Sequence, residues 1–268
     1  KAKELIFAAN QLAVKAGAPL ERSGILVDEE FGSGVARRAK EAGVPLAMPV
    51  ERSGQDEFDF EYGEDFPRHI ETFDPTFVKV LVRYNPEADP ELNRRQAERL
   101  ARLSEWLHAN GRLFLFELLV PATTAQLEAF EDHRDDYDHQ LRPKLTVDTL
   151  AALQAAGVEP DIWKVEGLDS PDDAAAVVAQ ARVGDRDNVD CIVLGRGASW
   201  DKVVGWLKVG AGVAGFAGFA VGRTLWHDAL ARHLAGQASE EAAATDIARR
   251  YRDLIDVYDA ATAQNSAS

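Results

Sequence analysis

The sequence predicts a (β/α)8 barrel, and three observations lead to this fold class. Apolar runs typical of β-strands alternate with helical patterns almost throughout the 268 residues. Several runs are apolar on both faces, as strands are when helices cover a parallel sheet. Eight strand–helix units need about 250 residues, so this length fits one barrel domain covering residues 1–268.

Seven runs have the length and composition of parallel strands. In chain order they are residues 23–28, 44–50, 76–83, 112–120, 161–166, 189–194 and 216–221. Because the chain opens in a helical pattern, the first strand of the barrel is expected upstream of Lys1. An open doubly wound sheet is the alternative. That fold favours a glycine-rich loop after its first strand, and the sequence has neither GxGxxG nor GxxxxGK[ST].

Helical spacing of apolar residues predicts the connecting segments. They are residues 1–17, 33–43, 65–72, 90–110, 121–157, 170–184, 199–209 and 228–234, followed by a last amphipathic helix at about 240–258. Ser170 and Pro171 form an N-cap followed by proline at the first helical position. The longest segment is expected to be interrupted at Pro143, and its charged part, residues 133–144, is expected to be solvated.

The composition argues against several classes of function. A formal net charge of -15 disfavours nucleic acid and anionic membranes as partners. No uninterrupted apolar run reaches about 18 residues, so no transmembrane helix is expected. Cys191 is the single cysteine, which excludes an internal disulfide and fits a reducing, cytoplasmic location.

Three of the apolar runs carry a charge in their interior: Lys79 in FVKVLV, Glu117 in LFLFELLV and Lys164 in IWKVEG. Charges on separate strands of one barrel can neutralise each other inside it. Burial lowers the pKa of a lysine and leaves an amine that attacks carbonyl groups. We therefore expect Lys164 to form a Schiff base, Glu117 to move protons, and Lys79 to lower the pKa of Lys164 by repulsion. The alternative is a buried ion cluster with a purely structural role.

The last two strands end in Gly195-Arg196-Gly197 and Gly222-Arg223. In (β/α)8 barrels the loops at these two places often bind phosphate, because glycine exposes backbone N–H groups and arginine adds a fork of donors. Tight turns with arginines on the rim are the alternative. Asp28 and Glu166 are weaker substrate-binding or proton-transfer candidates, and Asp28 is equally explained as the residue that starts a helix.

A metal mechanism and a serine hydrolase are both unsupported. No histidine stands in a predicted strand, and the sequence has no HxH, HExxH or GxSxG pattern. We expect neither a metal nor another cofactor. The six histidines are His69, His108, His133, His139, His227 and His233.

The chain resembles the DUF2090 family over nearly its whole length, and six segments carry the resemblance. They are VDEEFG, FVKVLVRYNP, LFELLVPAT, DIWKVEG, VLGRG and GFAVGRTLW. That family is the aldolase-type domain often fused behind the kinase in 5-dehydro-2-deoxygluconokinase proteins of inositol catabolism. It is similar, more distantly, to class I tagatose-bisphosphate and sulfofructose-phosphate aldolases. The resemblance implies a (β/α)8 barrel, a Schiff base at Lys164, Lys79 and Glu117 as its partners, and substrate phosphate at Gly222-Arg223.

The resemblance also implies a reaction. A class I aldolase of this kind would cleave 6-phospho-5-dehydro-2-deoxy-D-gluconate to dihydroxyacetone phosphate and malonate semialdehyde. The chain departs from the tagatose-bisphosphate enzymes at Arg196, which indicates a further anionic group on the substrate, such as a carboxylate. Another phosphosugar aldolase and a non-catalytic phosphosugar-binding barrel are the alternatives. A fused or separate sugar kinase is an expected partner, and a homo-oligomer is left open.

Overall fold

The structure, a computed structural model, describes residues 1–266, and within that range its centre is one parallel sheet of seven strands. The strands are β1 Ile25–Leu26, β2 Leu46–Pro49, β3 Phe77–Arg83, β4 Leu113–Leu119, β5 Ile162–Glu166, β6 Asp190–Leu194 and β7 Phe216–Ala220. Each pairs in parallel with the next along the chain. A doubly wound sheet reverses its strand order at a switch point, whereas sequential order is that of a (β/α)8 barrel. Over residues 1–266, β1 and β7 are not paired with each other.

All seven predicted strands are present, and the helices differ mainly in where they begin and end. The helices are α1 Ala2–Lys15, α2 Glu29–Glu41, α3 Phe66–Phe73, α4 Pro90–Ala109, α5 Thr124–Ala129, α6 Arg134–Gln140, α7 Arg142–Ala155, α8 Pro171–Ala181, α9 Trp200–Ala211, α10 Arg223–Leu234 and α11 Glu240–Ser266. The predicted break at Pro143 is wrong in position, because this proline lies in the first turn of α7, where proline is tolerated. The last helix continues past residue 258 to Ser266.

The two faces of the central strands have different chemistry. On β3 the outward side chains Val78, Val80 and Val82 are buried in the same core as Leu100 and Leu103 of α4. Because side chains alternate along a strand, the intervening residues point to the opposite, interior face of the curved sheet. The interior is therefore where the charged residues of β3, β4 and β5 are placed.

The helical layer is continuous between the two ends of the sheet. Helix α1 packs on α11, and small buried residues such as Ala9, Ala13 and Ala244 let the two helices approach closely. Helix α1 also contacts β1 and α2, while α11 contacts α9 and α10. The first and last helices thus join the layer beside the edges of β1 and β7.

The segment after β2 is attached to α4 by several polar contacts. Glu57 forms ion pairs with Arg95 at 2.8 Å and Arg99 at 2.7 Å, and the Phe58 backbone N–H donates to the Gln96 side chain at 2.7 Å. This attachment fixes residues 51–60 at the carboxyl end of the sheet. Among the described residues, no helix is both long enough and apolar enough to cross a membrane.

Candidate active site

Lys79, Glu117 and Lys164 lie in contact inside the sheet. They come from the neighbouring strands β3, β4 and β5, and strand pairing places Glu117 opposite Lys164. Lys164 Nζ donates to Glu117 Oε1 at 2.8 Å, and Lys79 Nζ lies 3.1 Å from Glu117 Oε2. The three residues are only 5 to 7% exposed. One carboxylate therefore bridges two buried lysines.

A fourth charged residue, Glu51, extends this row. It lies two residues after the end of β2, and its Oε1 accepts a hydrogen bond from Lys79 Nζ at 2.6 Å. Unlike the three other charged residues, Glu51 does not interrupt an apolar run, so the pattern that predicts those residues does not select it. Its position directly after the apolar run VPLAMPV, at a strand's carboxyl end, is a signal that could have found it. The charges alternate along the row Glu51, Lys79, Glu117, Lys164.

The two lysines of this row have opposite electrostatics. Burial lowers the pKa of Lys164; attraction by Glu117 opposes this lowering without cancelling it, and the smaller repulsion by Lys79 adds to it. Burial would lower the pKa of Lys79 as well, but attraction by Glu51 and Glu117 outweighs it and raises that pKa. Although burial disfavours the charged form of Glu117, the charges of Lys164 and Lys79 hold its pKa below the usual range. Of the two lysines, Lys164 is therefore the one that loses its proton more easily.

Arg196 is held in a second ion cluster at the carboxyl ends of β5 and β6. Its Nε lies 3.0 Å from Glu166 Oε1, and its Nη1 donates to Asp138 Oδ2 at 2.7 Å. Asp138 also accepts from Arg142 Nε at 3.0 Å, and Arg142 is 1% exposed. The expectation that residues 133–144 are solvated is therefore wrong around Arg142, although the His133 and His139 side chains are exposed. The charged sequence alone could not distinguish a helix in solvent from one that buries some of its charged side chains.

The two Gly-Arg strand ends lie side by side. Arg223 Nη2 donates to the backbone oxygen of Arg196 at 3.3 Å, and Thr224 Oγ1 donates to that of Ala198 at 2.8 Å. Gly197 has a φ of 73°, and a Cβ there would come within 2.9 Å of the Arg223 guanidinium. The positive φ favours glycine at this position, and a larger residue would require the flexible end of the Arg223 side chain to move.

The N-terminus of α10 lies at this junction. Gly222 is its N-cap, with no side chain that caps the free N–H groups. Such N–H groups attract anions because the helix dipole adds to their donor capacity. Anion binding by residues 195–197 and by Gly222-Arg223 stays a prediction, and the guanidinium of Arg196 is already engaged by two carboxylates.

Asp28 and Glu166 have partners outside the lysine row. Asp28 is the N-cap of α2, accepts from the Phe31 backbone N–H at 2.7 Å, and pairs with Lys3 at 2.7 Å. The predicted start of α2 at residue 33 is wrong, because the Asp28 cap lets the helix begin at residue 29. Glu166 accepts from the Val120 backbone N–H at 2.9 Å. A substrate contact of Asp28 stays a prediction.

A protein-family model and several solved structures match the chain. The model describes an uncharacterized protein conserved in bacteria, DUF2090, and it matches residues 1–262. A Schiff-base-forming fructose-1,6-bisphosphate aldolase is 16% identical, with 94% of this chain and 82% of that chain covered and a TM-score of 0.57. An archaeal fructose 1,6-bisphosphate aldolase is 17% identical, with 93% and 82% covered and a TM-score of 0.58.

A third solved structure is the fructose-bisphosphate aldolase of Plasmodium falciparum, in complex with TRAP and a small-molecule inhibitor. It is 15% identical, with 96% of this chain and 81% of that chain covered and a TM-score of 0.64. At these identities the likeness is one of fold. No curated protein matches the sequence.

Proposed function

The chain belongs to the DUF2090 family, and on that basis and the geometry of its interior charges we propose that it is a class I aldolase, a carbon–carbon lyase. One observation carries the proposal: Glu117 contacts both Lys79 and Lys164 in the interior of the sheet. A Schiff-base mechanism needs a neutral lysine with a proton carrier in contact. The fold likeness to Schiff-base-forming aldolases supports the same reaction class.

Lys164, and not Lys79, is the nucleophile in this proposal. Burial and the nearby charge of Lys79 lower the pKa of Lys164, whereas two carboxylates raise that of Lys79. A protonated amine has no lone pair and cannot attack a carbonyl carbon. Lys79 therefore stays charged, repels a proton from Lys164, and donates hydrogen bonds to substrate oxygens.

The reaction starts when the neutral Lys164 amine adds to the substrate ketone. Glu117, 2.8 Å from Lys164 Nζ, relays protons so that the carbinolamine loses water and forms an iminium. The ionised carboxylate then accepts the proton of the β-hydroxyl group. The adjacent carbon–carbon bond breaks, its electron pair enters the iminium as an enamine, and the aldehyde product leaves. Protonation of the enamine carbon and addition of water release the ketone product and restore the amine.

The proposed substrate is 6-phospho-5-dehydro-2-deoxy-D-gluconate, and the products are dihydroxyacetone phosphate and malonate semialdehyde. The uncapped N-terminus of α10 at Gly222-Arg223 would hold the phosphate. The family resemblance supports this substrate, a role in inositol catabolism with a fused or separate sugar kinase as partner, and a cytoplasmic location. The substrate, the pathway, the partner and the location are all part of the proposal.

A ketose bisphosphate is the second candidate substrate. The three solved structures named above are fructose-bisphosphate aldolases, which favours it. A panel containing the keto sugar acid phosphate, fructose 1,6-bisphosphate and tagatose 1,6-bisphosphate separates the two, with triose phosphate release measured by a coupled reductase.

A Glu117→Gln variant tests the mechanism with the best substrate of that panel. Because the amide cannot relay the protons, we expect kcat to fall at least about a hundredfold. Glu128→Gln, an exposed residue of α5, is the matched control and should keep full activity. Binding of the sugar phosphates without triose phosphate release by the wild-type protein would instead favour a non-catalytic barrel.

A further inference from the structure

Glu51 contacts Lys79 but has no step in the proposed reaction. The preceding residue, Val50, is held from two sides: its N–H donates to the Lys79 carbonyl at 3.0 Å, and its carbonyl accepts from Glu61 N–H at 2.9 Å. Glu51 also forms a β-bridge with Phe60. The carboxylate is therefore delivered to Lys79 by a part of the chain that is held in place.

The Glu51 carboxyl group is costly to bury. Its side chain is 10% exposed, and among the described contacts its buried Oε2 has no hydrogen-bond partner. Burial raises the pKa of Glu51, and the charge of Lys79 opposes that rise. A buried oxygen without a partner disfavours folding. The residue is thus poorly explained as a stabilising ion pair.

Glu51 is what makes the two lysines different. Glu117 contacts both of them, at 3.1 Å from Lys79 and 2.8 Å from Lys164, so this carboxylate alone would treat them almost equally. Lys79 has a second carboxylate at 2.6 Å, whereas Glu117 is the one carboxylate in contact with Lys164 among the described ion pairs. Opposite charges at contact distance favour the protonated amine.

We propose that Glu51 is a positioning residue that keeps Lys79 charged, so that Lys164 is the amine that reacts. The inference rests on the proposed function for its meaning, but its electrostatic content does not depend on turnover. The charged groups that face Lys79 are Glu51 from the segment after β2, Glu117 from β4 and Lys164 from β5. Without the charge of Glu51, Glu117 would be the one carboxylate in contact with each lysine among the described ion pairs.

The direct test is an NMR titration of both lysines in full-length protein labelled with [ε-¹³C]lysine. The two signals are assigned with Lys79→Arg and Lys164→Arg variants. In the wild type, Lys79 should titrate at higher pH than Lys164. In Glu51→Gln, which is nearly isosteric, the titration of Lys79 should move to lower pH, toward that of Lys164. Glu57→Gln is the matched control, because Glu57 lies in the same segment but pairs with Arg95 and Arg99.

A Glu51→Asp variant keeps the charge with a shorter reach, and Lys79 should then titrate between its wild-type and Glu51→Gln positions. The same variant carries the test if Glu51→Gln does not fold. A Lys79 titration that is unchanged in the variants that fold overturns the inference. A protein that shows the shift but never forms an imine would contradict the aldolase proposal while leaving this inference in place.

Borohydride trapping supplies a second readout that a purely structural role would not move. With substrate, the wild type should be labelled at Lys164, and Glu51→Gln at both lysines. Label on Lys79 should rise about tenfold for each pH unit by which its titration falls, because each unit changes the neutral fraction tenfold. Label confined to Lys164 in Glu51→Gln, with an unchanged kcat, would also overturn the inference.

Discussion

At the scale of single residues, two neighbouring buried lysines have pKa values that shift in opposite directions. Lys79 and Lys164 are both buried and both contact Glu117. Their pKa values move in opposite directions because Lys79 has a second carboxylate partner, Glu51. Local charge, and not burial alone, thus decides which lysine loses its proton more easily.

The pH dependence of kcat/KM follows from this difference. The proposed reaction needs neutral Lys164, and its lowered pKa means that the neutral form appears below the pH at which an ordinary lysine loses its proton. We therefore expect kcat/KM to rise with pH and to level off at a lower pH than it would with an ordinary lysine as the nucleophile. Lys79→Met removes a repelling charge, so its rise should move to higher pH. The control Lys144→Met changes an exposed lysine of α7 and should leave the profile unchanged.

A rise at the pH of an ordinary lysine would contradict this account of Lys164. So would a Lys79→Met profile that stays in place or moves to lower pH.

The interior charges could be predicted from sequence because they interrupt apolar runs. Lys79, Glu117 and Lys164 each follow and precede an apolar residue inside a strand, and strand alternation puts each on a definite face. Arg142 lies in a polar segment, and its burial depends on which element packs over it. That information is tertiary, so local pattern could not supply it.

At the scale of elements, the two last strands end where α10 begins. Arg223 contacts the loop of residues 195–197, and α10 presents an uncapped N-terminus there. The predicted start at residue 228 was too late. Gly222 lacks a side chain that could cap the helix, so the usual start signal is missing.

The proposed phosphate site predicts a defect in binding. In Arg223→Gln we expect KM to rise about tenfold with kcat little changed, because the lost contact is made equally in the ground state and the transition state. Arg232→Gln, near the other end of α10, removes an ion pair with Asp246 and is the matched control. Steady-state kinetics with phosphorylated and unphosphorylated substrates measure both. An equal rise in KM with the phosphorylated and the unphosphorylated substrate would mean that Arg223 does not bind the phosphate group.

At the scale of the whole molecule, strand order was predictable from alternation and length, and it excludes the doubly wound alternative. The contact of α1 with α11 was not predictable in the same way. Their interface uses many alanines, and alanine has no strong preference for buried over exposed helix positions. The packing of α1 on α11 can therefore be recognised only when the positions of both helices are known.

The interface between α1 and α11 should be sensitive to an increase in side-chain volume. Ala244→Leu adds a large side chain at a fully buried position, and we expect it to lower the free energy of unfolding by about 1–3 kcal/mol. Ala242→Leu lies on the exposed face of the same helix and should change it by less than about 0.5 kcal/mol. Urea unfolding measures both. Equal effects would mean that α1 does not pack there.

Trapping the covalent intermediate tests the central claim most directly. The protein is incubated with substrate and sodium borohydride, digested, and searched by mass spectrometry for a reduced adduct. The account predicts one adduct on Lys164, loss of activity in proportion to labelling, and no adduct at that position in Lys164→Arg. A wild-type protein that turns over substrate without an adduct on Lys164, or a Lys164→Arg variant with full activity, would contradict it.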